Sequence, residues 1–146
     1  MSESFVNLDN ARHADQREVM EGIRERGECP FCEENLAKTH QQPILRQGEH
    51  WTLTPNQWPY NFTRSHLLAI SRYHAEKLGD LKEGSFDELQ DHLQWAEVEF
   101  QVAAGGLAMR FGDVTQTGAT VNHLHAHLIV PDEAKPADEK IRFKIS

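Results

Sequence analysis

His123-Leu124-His125-Ala126-His127-Leu128-Ile129 limits what this chain can fold into more than any other stretch. Histidine alternates strictly with apolar residues, which is the two-residue period of a β-strand whose side chains take opposite faces in turn. His123, His125 and His127 therefore share one face, and Leu124, Ala126 and Leu128 the other. A strand rises about 3.3 Å per residue, which sets the outer two histidines about 13 Å apart. A zinc ion holds imidazole nitrogens at about 2.0–2.1 Å. One ion therefore does not take all three rings, although two neighbours could share one. The remainder of the row suits nucleophilic or acid–base work, for which imidazole is matched near neutral pH. The alternative is a solvated edge strand in a chain that carries nine histidines.

A chain of 146 residues is most economically one domain, long enough for a proper core. Net charge is −8, which disfavours binding to a nucleic-acid backbone, since that needs clustered Lys and Arg. A phosphorylated small molecule is still allowed, because local charge decides that. No apolar run approaches the roughly 18 residues of a membrane helix, so no membrane partner is expected. The start, Met1-Ser2-Glu3-Ser4-Phe5, lacks the basic-then-apolar pattern of a secretory signal, and a cytoplasmic location is expected.

Residues 10 to 26 carry Val19, Met20 and Ile23 among many charges, an N-terminal helix with a thin apolar stripe. Asp9 or Asn10 could cap it and Gly27 end it. Pro43 to Arg46 and His50 to Thr54 read as strands around a turn at 47–49, and His66 to Ser71 as the next strand. The loop at 55–61 is marked by its prolines and asparagines. Phe86, Leu89, Leu93, Ala96, Phe100, Ala103 and Leu107 recur at helical spacing, so a long helix is expected over 86–107, with Ser85 and Glu88 as a capping box. Pro131 ends the histidine strand. Ile141, Phe143 and Ile145 alternate with Arg142 and Lys144, a last strand. This order implies an α+β fold with a largely antiparallel sheet.

Cys29-Pro30-Phe31-Cys32 is a CxxC pair with three readings: a redox pair, two buried unpaired thiols, or half of a tetrahedral zinc site. Redox chemistry wants the pair at a strand-to-helix turn, and residues 22–28 are too charged for a buried strand.

The histidine stretch resembles the signature of the histidine triad (HIT) family of nucleotide hydrolases and transferases, His-φ-His-φ-His-φ-φ with φ apolar, and fits it at every position. Gly118-Ala119-Thr120-Val121-Asn122 resembles the family's upstream block, with Ala119 where Gln is usual. Ser65 to His74 resembles a second block, with Ser71 where Pro is usual. Cys29-Pro30-Phe31-Cys32 resembles the opening of the zinc-carrying members. The likeness spans 29–131, which leaves 1–28 as an N-terminal helical extension and 132–146 as a tail with a strand, all within one HIT-like domain.

This resemblance implies a nucleotide substrate cleaved at its α-phosphorus. His125 would be the nucleophile that forms a covalent nucleotidyl-imidazole, broken afterwards by water, phosphate or another acceptor. His127 would touch the phosphate oxygens or the leaving-group bridge, Thr120 would lie near the leaving group, and His66 would support the site. Asn56 would bond the ribose, with Trp58 and Tyr60 walling a base pocket. No counterpart of the family's Asn/Gln upstream of the triad is evident. In zinc-carrying relatives the two cysteines are joined by two histidines that correspond here to His74 and His123, giving a closed, structural zinc. A homodimer is implied as well. An intact third histidine favours a hydrolase or phosphorylase over a sugar-nucleotide transferase. A nucleotide-binding protein with little turnover, or a zinc-stabilised scaffold, are the rival classes.

Overall fold

A computed structural model describes residues 5–8, 11 and 13–146. Elements run α1 (Ala14–Arg26), α2 (Glu33–Thr39), β1 (Arg46–Gln47), β2 (Trp51–Pro55), β3 (Thr63–Ser71), a 3-10 turn (Leu78–Asp80), α3 (Ser85–Glu99), β4 (Gly106–Met109), α4 (Val114–Thr117) and β5 (His125–Pro131). The strands form one antiparallel sheet in the order β1-β2-β3-β5-β4. The expected α+β class is the one observed. No helix among the described residues is long and apolar enough to cross a membrane.

The period of two divides the sheet's faces as its alternation requires. Leu67, Ala69, Ala126, Leu128 and Val130 meet Trp51 and Leu53 on one face, and Leu89 and Ala96 of α3 close over them as the main core. Each leucine or valine among them contributes about 1.5–3 kcal/mol by burial. The Trp51 indole N–H donates to the Ser85 carbonyl at 2.7 Å, pinning the start of α3 to the sheet. The opposite face carries His125 paired with Ile70, and His127 with Leu68. That side is covered by a second cluster, Val6, Met20, Ile23 and Val121. A bridge between Val6 and Val121 ties the N-terminal segment there.

Several expectations give way to tertiary structure. α1 starts at Ala14 with His13 at its N-cap, while Asp9 and Asn10 lie outside the described residues. Gly27 ends the helix in the left-handed conformation, φ 66°. The strand expected at Pro43 to Arg46 shrinks to the two residues of β1. α2, which follows the CxxC pair, has no apolar periodicity to announce it.

The long helix stops at Glu99, not at residue 107. Gln101 turns to φ 51°, and Gly106–Met109 instead pairs with β5. A Cβ on Gly105 would lie 2.7 Å from the Ile129 carbonyl oxygen, so only glycine lets the chain pass that closely into the sheet. The capping box is absent too. Gly84, at φ 87°, is the N-cap. The tail forms no strand: residues 141–145 stand apart from the sheet, and Arg110 donates to the Lys144 carbonyl.

Glu88 does different work from capping. Its carboxylate accepts the backbone N–H groups of Glu49, His50 and Trp51 at 2.7–3.0 Å, clamping the β1–β2 turn to α3. Burial pushes the carboxyl up, but the His50 and Trp51 donors more than offset it, and the net shift is below its ordinary 4.5. A carboxyl with a depressed folded pKa stabilises above its unfolded value, and that stability is lost as pH falls through the folded value. Glu88→Ala should cost about 2 kcal/mol at neutral pH. Urea unfolding at pH 7 and pH 3 checks this, since the gap between the two proteins should close on acidification.

Candidate functional site

An interior strand positions the histidine row. β5 lies between β3 and β4, and its ladder begins at His125, so His123 sits two residues before the strand. All three triad histidines are nevertheless buried. Leaving the ladder frees His123 to turn away from its neighbours, and the row splits into two sites.

The first site is a cluster of sulfur and nitrogen donors. Nδ1 of His123 lies 3.3 Å from Cys29 Sγ and 3.7 Å from Cys32 Sγ, and Nδ1 of His74 lies 3.4 Å from Cys32 Sγ. The four donor atoms are all within 4.8 Å of one another. Tetrahedral zinc at its usual bond lengths sets ligand atoms about 3.3–3.8 Å apart, so the cluster fits that cation. The tautomers fit as well. His123 Nε2–H donates to the Ser71 carbonyl at 2.7 Å, and His74 Nε2–H to the Glu76 carboxylate at 2.7 Å. Each ring is thus held with its Nδ1 lone pair toward the sulfurs, the outer hydrogen bonding that metal-bound imidazoles need. Burial brings His123 down to about 4, which keeps that lone pair available.

The thiols argue against redox chemistry. Burial raises Cys29, and burial together with the neighbouring Cys29 pushes Cys32 up to about 12. A redox pair needs a depressed thiol. The element before Cys29 is also a helix ending at Gly27, with no strand-to-helix turn. Neither cysteine is in a disulfide.

The second site is a cavity of about 440 Å³ lined by His125, His127, Thr120, Asn56, Trp58 and Tyr60, among others. Every expected substrate-side residue except His66 reaches it. His66 is buried behind, its Nε2 at 2.8 Å from His127 Nδ1.

Backbone contacts order the protons here. His125 Nδ1 lies 2.7 Å from the His123 carbonyl oxygen, which only accepts, so that nitrogen carries the proton and Nε2 the lone pair. Burial lowers His125 to about 4, and Arg110 adds to this against the opposing His123 carbonyl. In the other chain of contacts, His66 Nδ1 accepts the Tyr60 N–H at 3.1 Å. His66 then donates from Nε2 to His127 Nδ1, and His127 keeps its own proton on Nε2. The two adjacent rings, 5.0 Å apart, therefore carry opposite tautomers.

Sequence reasoning missed five lining residues of consequence. Phe31 meets the His125 ring edge-on at 5.0 Å. Arg110, just past β4, and Arg142 and Lys144 of the tail bring positive charge. Arg110 was hidden by the misplaced helix, and the tail by its strand-like alternation. His40 also lines the cavity, its Nε2 at 2.7 Å from Thr54 Oγ1.

The HIT domain model matches residues 60–134, which carry His66, His74, Thr120 and the whole histidine row. The chain belongs to the HIT domain family. No curated protein matches it. Among solved structures, a zinc-bound histidine triad family protein from Mycobacterium smegmatis is similar, at 22% identity and TM-score 0.56 over 82% of this chain and 83% of that one. A HIT family hydrolase from Clostridium thermocellum is 22% identical, TM-score 0.55, over 77% of this chain and 97% of that one. A histidine triad nucleotide-binding protein from Candida albicans is 19% identical, TM-score 0.57, over 77% and 86%. At such identities the likeness concerns the fold. In this HIT chain the cysteine pair and the cationic tail both lie outside the matched residues, so their roles stand on geometry.

Proposed function

We propose that this HIT protein is a nucleotide hydrolase or nucleotidyltransferase that works through a covalent intermediate on His125. The observation that carries this reading is the set of contacts that assign opposed tautomers to the two rings. His125, its Nδ1–H on the His123 carbonyl, offers a lone pair at Nε2, and His127 offers an N–H beside it. A nucleophile beside a hydrogen-bond donor is what displacement at phosphorus requires.

In the first step the His125 Nε2 lone pair forms a bond to the α-phosphorus. The bond from phosphorus to the leaving group breaks with its electron pair, a departing amine taking up a proton from solvent, and the His127 N–H hydrogen-bonds the oxygens that gain charge. In the second step water attacks the same phosphorus. The P–N pair returns to Nε2, and the water's proton passes to solvent. Thr120 and Asn56, on the same cavity, would contact the leaving group and the ribose. Trp58 and Tyr60 would wall the base.

The test is a pulse of radiolabelled adenosine phosphoramidate with a rapid quench. One acid-labile, alkali-stable label per active site is expected, and it should be absent from His125→Asn. Turnover without label would overturn covalent catalysis; tight binding without turnover would make this a nucleotide-binding protein.

The cysteine–histidine cluster would hold a structural zinc through Cys29, Cys32, His74 and His123. Four protein ligands leave no open position, so the metal's contribution would be to fold and not to bound water. Two cysteines kept reduced for a metal suit a reducing compartment such as the cytoplasm.

A homodimer is supported by β4, whose far edge pairs with no strand among the described residues, and by Leu107 and Phe86, both more than half exposed on β4 and α3. A second copy laid against that edge would cover both. Leu107→Asp should raise the dimer dissociation constant about tenfold or more. Sedimentation across a concentration series checks it, and a monomeric wild type would refute the dimer.

A further inference from the structure

The cavity does not share the charge of the chain around it. Acidic residues outnumber basic ones 23 to 15 overall. Yet Arg110, Arg142 and Lys144 line the cavity, and no Asp or Glu does so among the described residues. None of the three takes part in an ion pair among those residues. Cations gathered in one concave site with no acidic side chain in its lining raise the local concentration of anions.

Arg110 and the tail segment that carries the other two are joined by specific contacts. Arg110 donates from Nε and Nη2 to the Lys144 carbonyl at 2.8 and 2.6 Å. Its guanidinium stacks 3.8 Å from the centre of the Phe143 ring. Phe143 in turn meets the His127 ring edge-on at 5.2 Å. Gly118, at φ 80°, lets this segment close in: a Cβ there would lie 3.3 Å from the Lys144 carbonyl oxygen. Phe143 and Arg110 thus flank His127, whereas Phe31 flanks His125.

In an in-line displacement the leaving group departs on the side of phosphorus away from the nucleophile. From these contacts we infer that Arg142 and Lys144, held in place by Arg110, form a subsite for the leaving part of the substrate, and that this part is a phosphate chain bearing several negative charges. The inference rests on the nucleotide reading above and narrows it, since an amine leaving group would gain nothing from three cations.

The test is calorimetry on the full chain with adenosine 5′-monophosphate, adenosine 5′-triphosphate and inorganic triphosphate. Wild type should favour the triphosphate nucleotide over the monophosphate, by a ratio that shrinks as salt rises. Arg142 and Lys144 are exposed, so Arg142→Ala/Lys144→Ala should fold normally, which melting confirms. That double variant should lower the ratio about tenfold or more, as expected for losing charged contacts to phosphate. Equal losses for both nucleotides, or none, would overturn the subsite. If neither nucleotide binds wild type, the nucleotide reading fails. Inorganic triphosphate still decides the subsite in that case: affinity lost in the double variant upholds it, and affinity kept or never present rejects it.

Discussion

Cys32→Ser protein should emerge from purification with little or no zinc and melt about 10 °C or more below wild type. The reason lies in what the cluster joins. Cys29 and Cys32 sit between α1 and α2, His74 follows β3, and His123 precedes β5. The contacts between them span 42 and 94 residues of chain. Zinc bound to two thiolates and two imidazoles is worth about 10–16 kcal/mol in small zinc peptides, comparable with the whole stability of an ordinary domain. Losing one thiolate removes much of that and leaves buried polar groups facing one another. His125 should also feel it, because the carbonyl that sets its tautomer belongs to His123. Activity during strong chelation should therefore fall in step with the loss of folded protein. Elemental analysis and thermal melting check the prediction. A Cys32→Ser protein with full zinc and unchanged melting would show that these four residues do not hold the metal.

Much of this was legible because two signals were local and chemically narrow. Strict alternation placed His125 and His127 on one strand face, and the sheet register keeps them there. The CxxC pair and the resemblance in the block ending at His74 named the four donors that the fold brings together. What was illegible is physical in origin. Apolar spacing from Phe86 to Leu107 reads as one helix, because Leu107 lies where a helical stripe would continue. The strand at β4 forms because β5 has a second edge to satisfy and Gly105 fits against Ile129, which no periodicity encodes. The tail alternates like a strand, yet Arg110 holds it across the site instead. Arg110 could have been found only by placing β4 correctly, since that puts the next residue after Met109 at the mouth of the histidine face.

His125→Asn should lower kcat by at least about 10⁴-fold while nucleotide affinity changes only a few-fold, since residues of a nucleophilic unit act in the transition state and far less in binding. Asparagine is the informative replacement. Its side-chain amide still donates to the His123 carbonyl, so the hydrogen bond that orients His125 survives while the Nε2 lone pair does not. His127→Asn is the partner measurement. It leaves His125 intact and, on the proposed mechanism, removes a donor at the developing charge, a change worth about 10²–10³ in kcat when such donors are deleted elsewhere. The ordering of the two variants separates the roles, because a site in which both rings only bind substrate would show comparable losses, carried mainly by KM. Steady-state kinetics with a nucleoside phosphoramidate, alongside calorimetric affinities for the nucleotide product, make the comparison. Zinc content should stay at wild-type level in both proteins, because neither ring is among the four donors. If His125→Asn keeps more than about a tenth of kcat, no covalent bond to this residue lies on the reaction path.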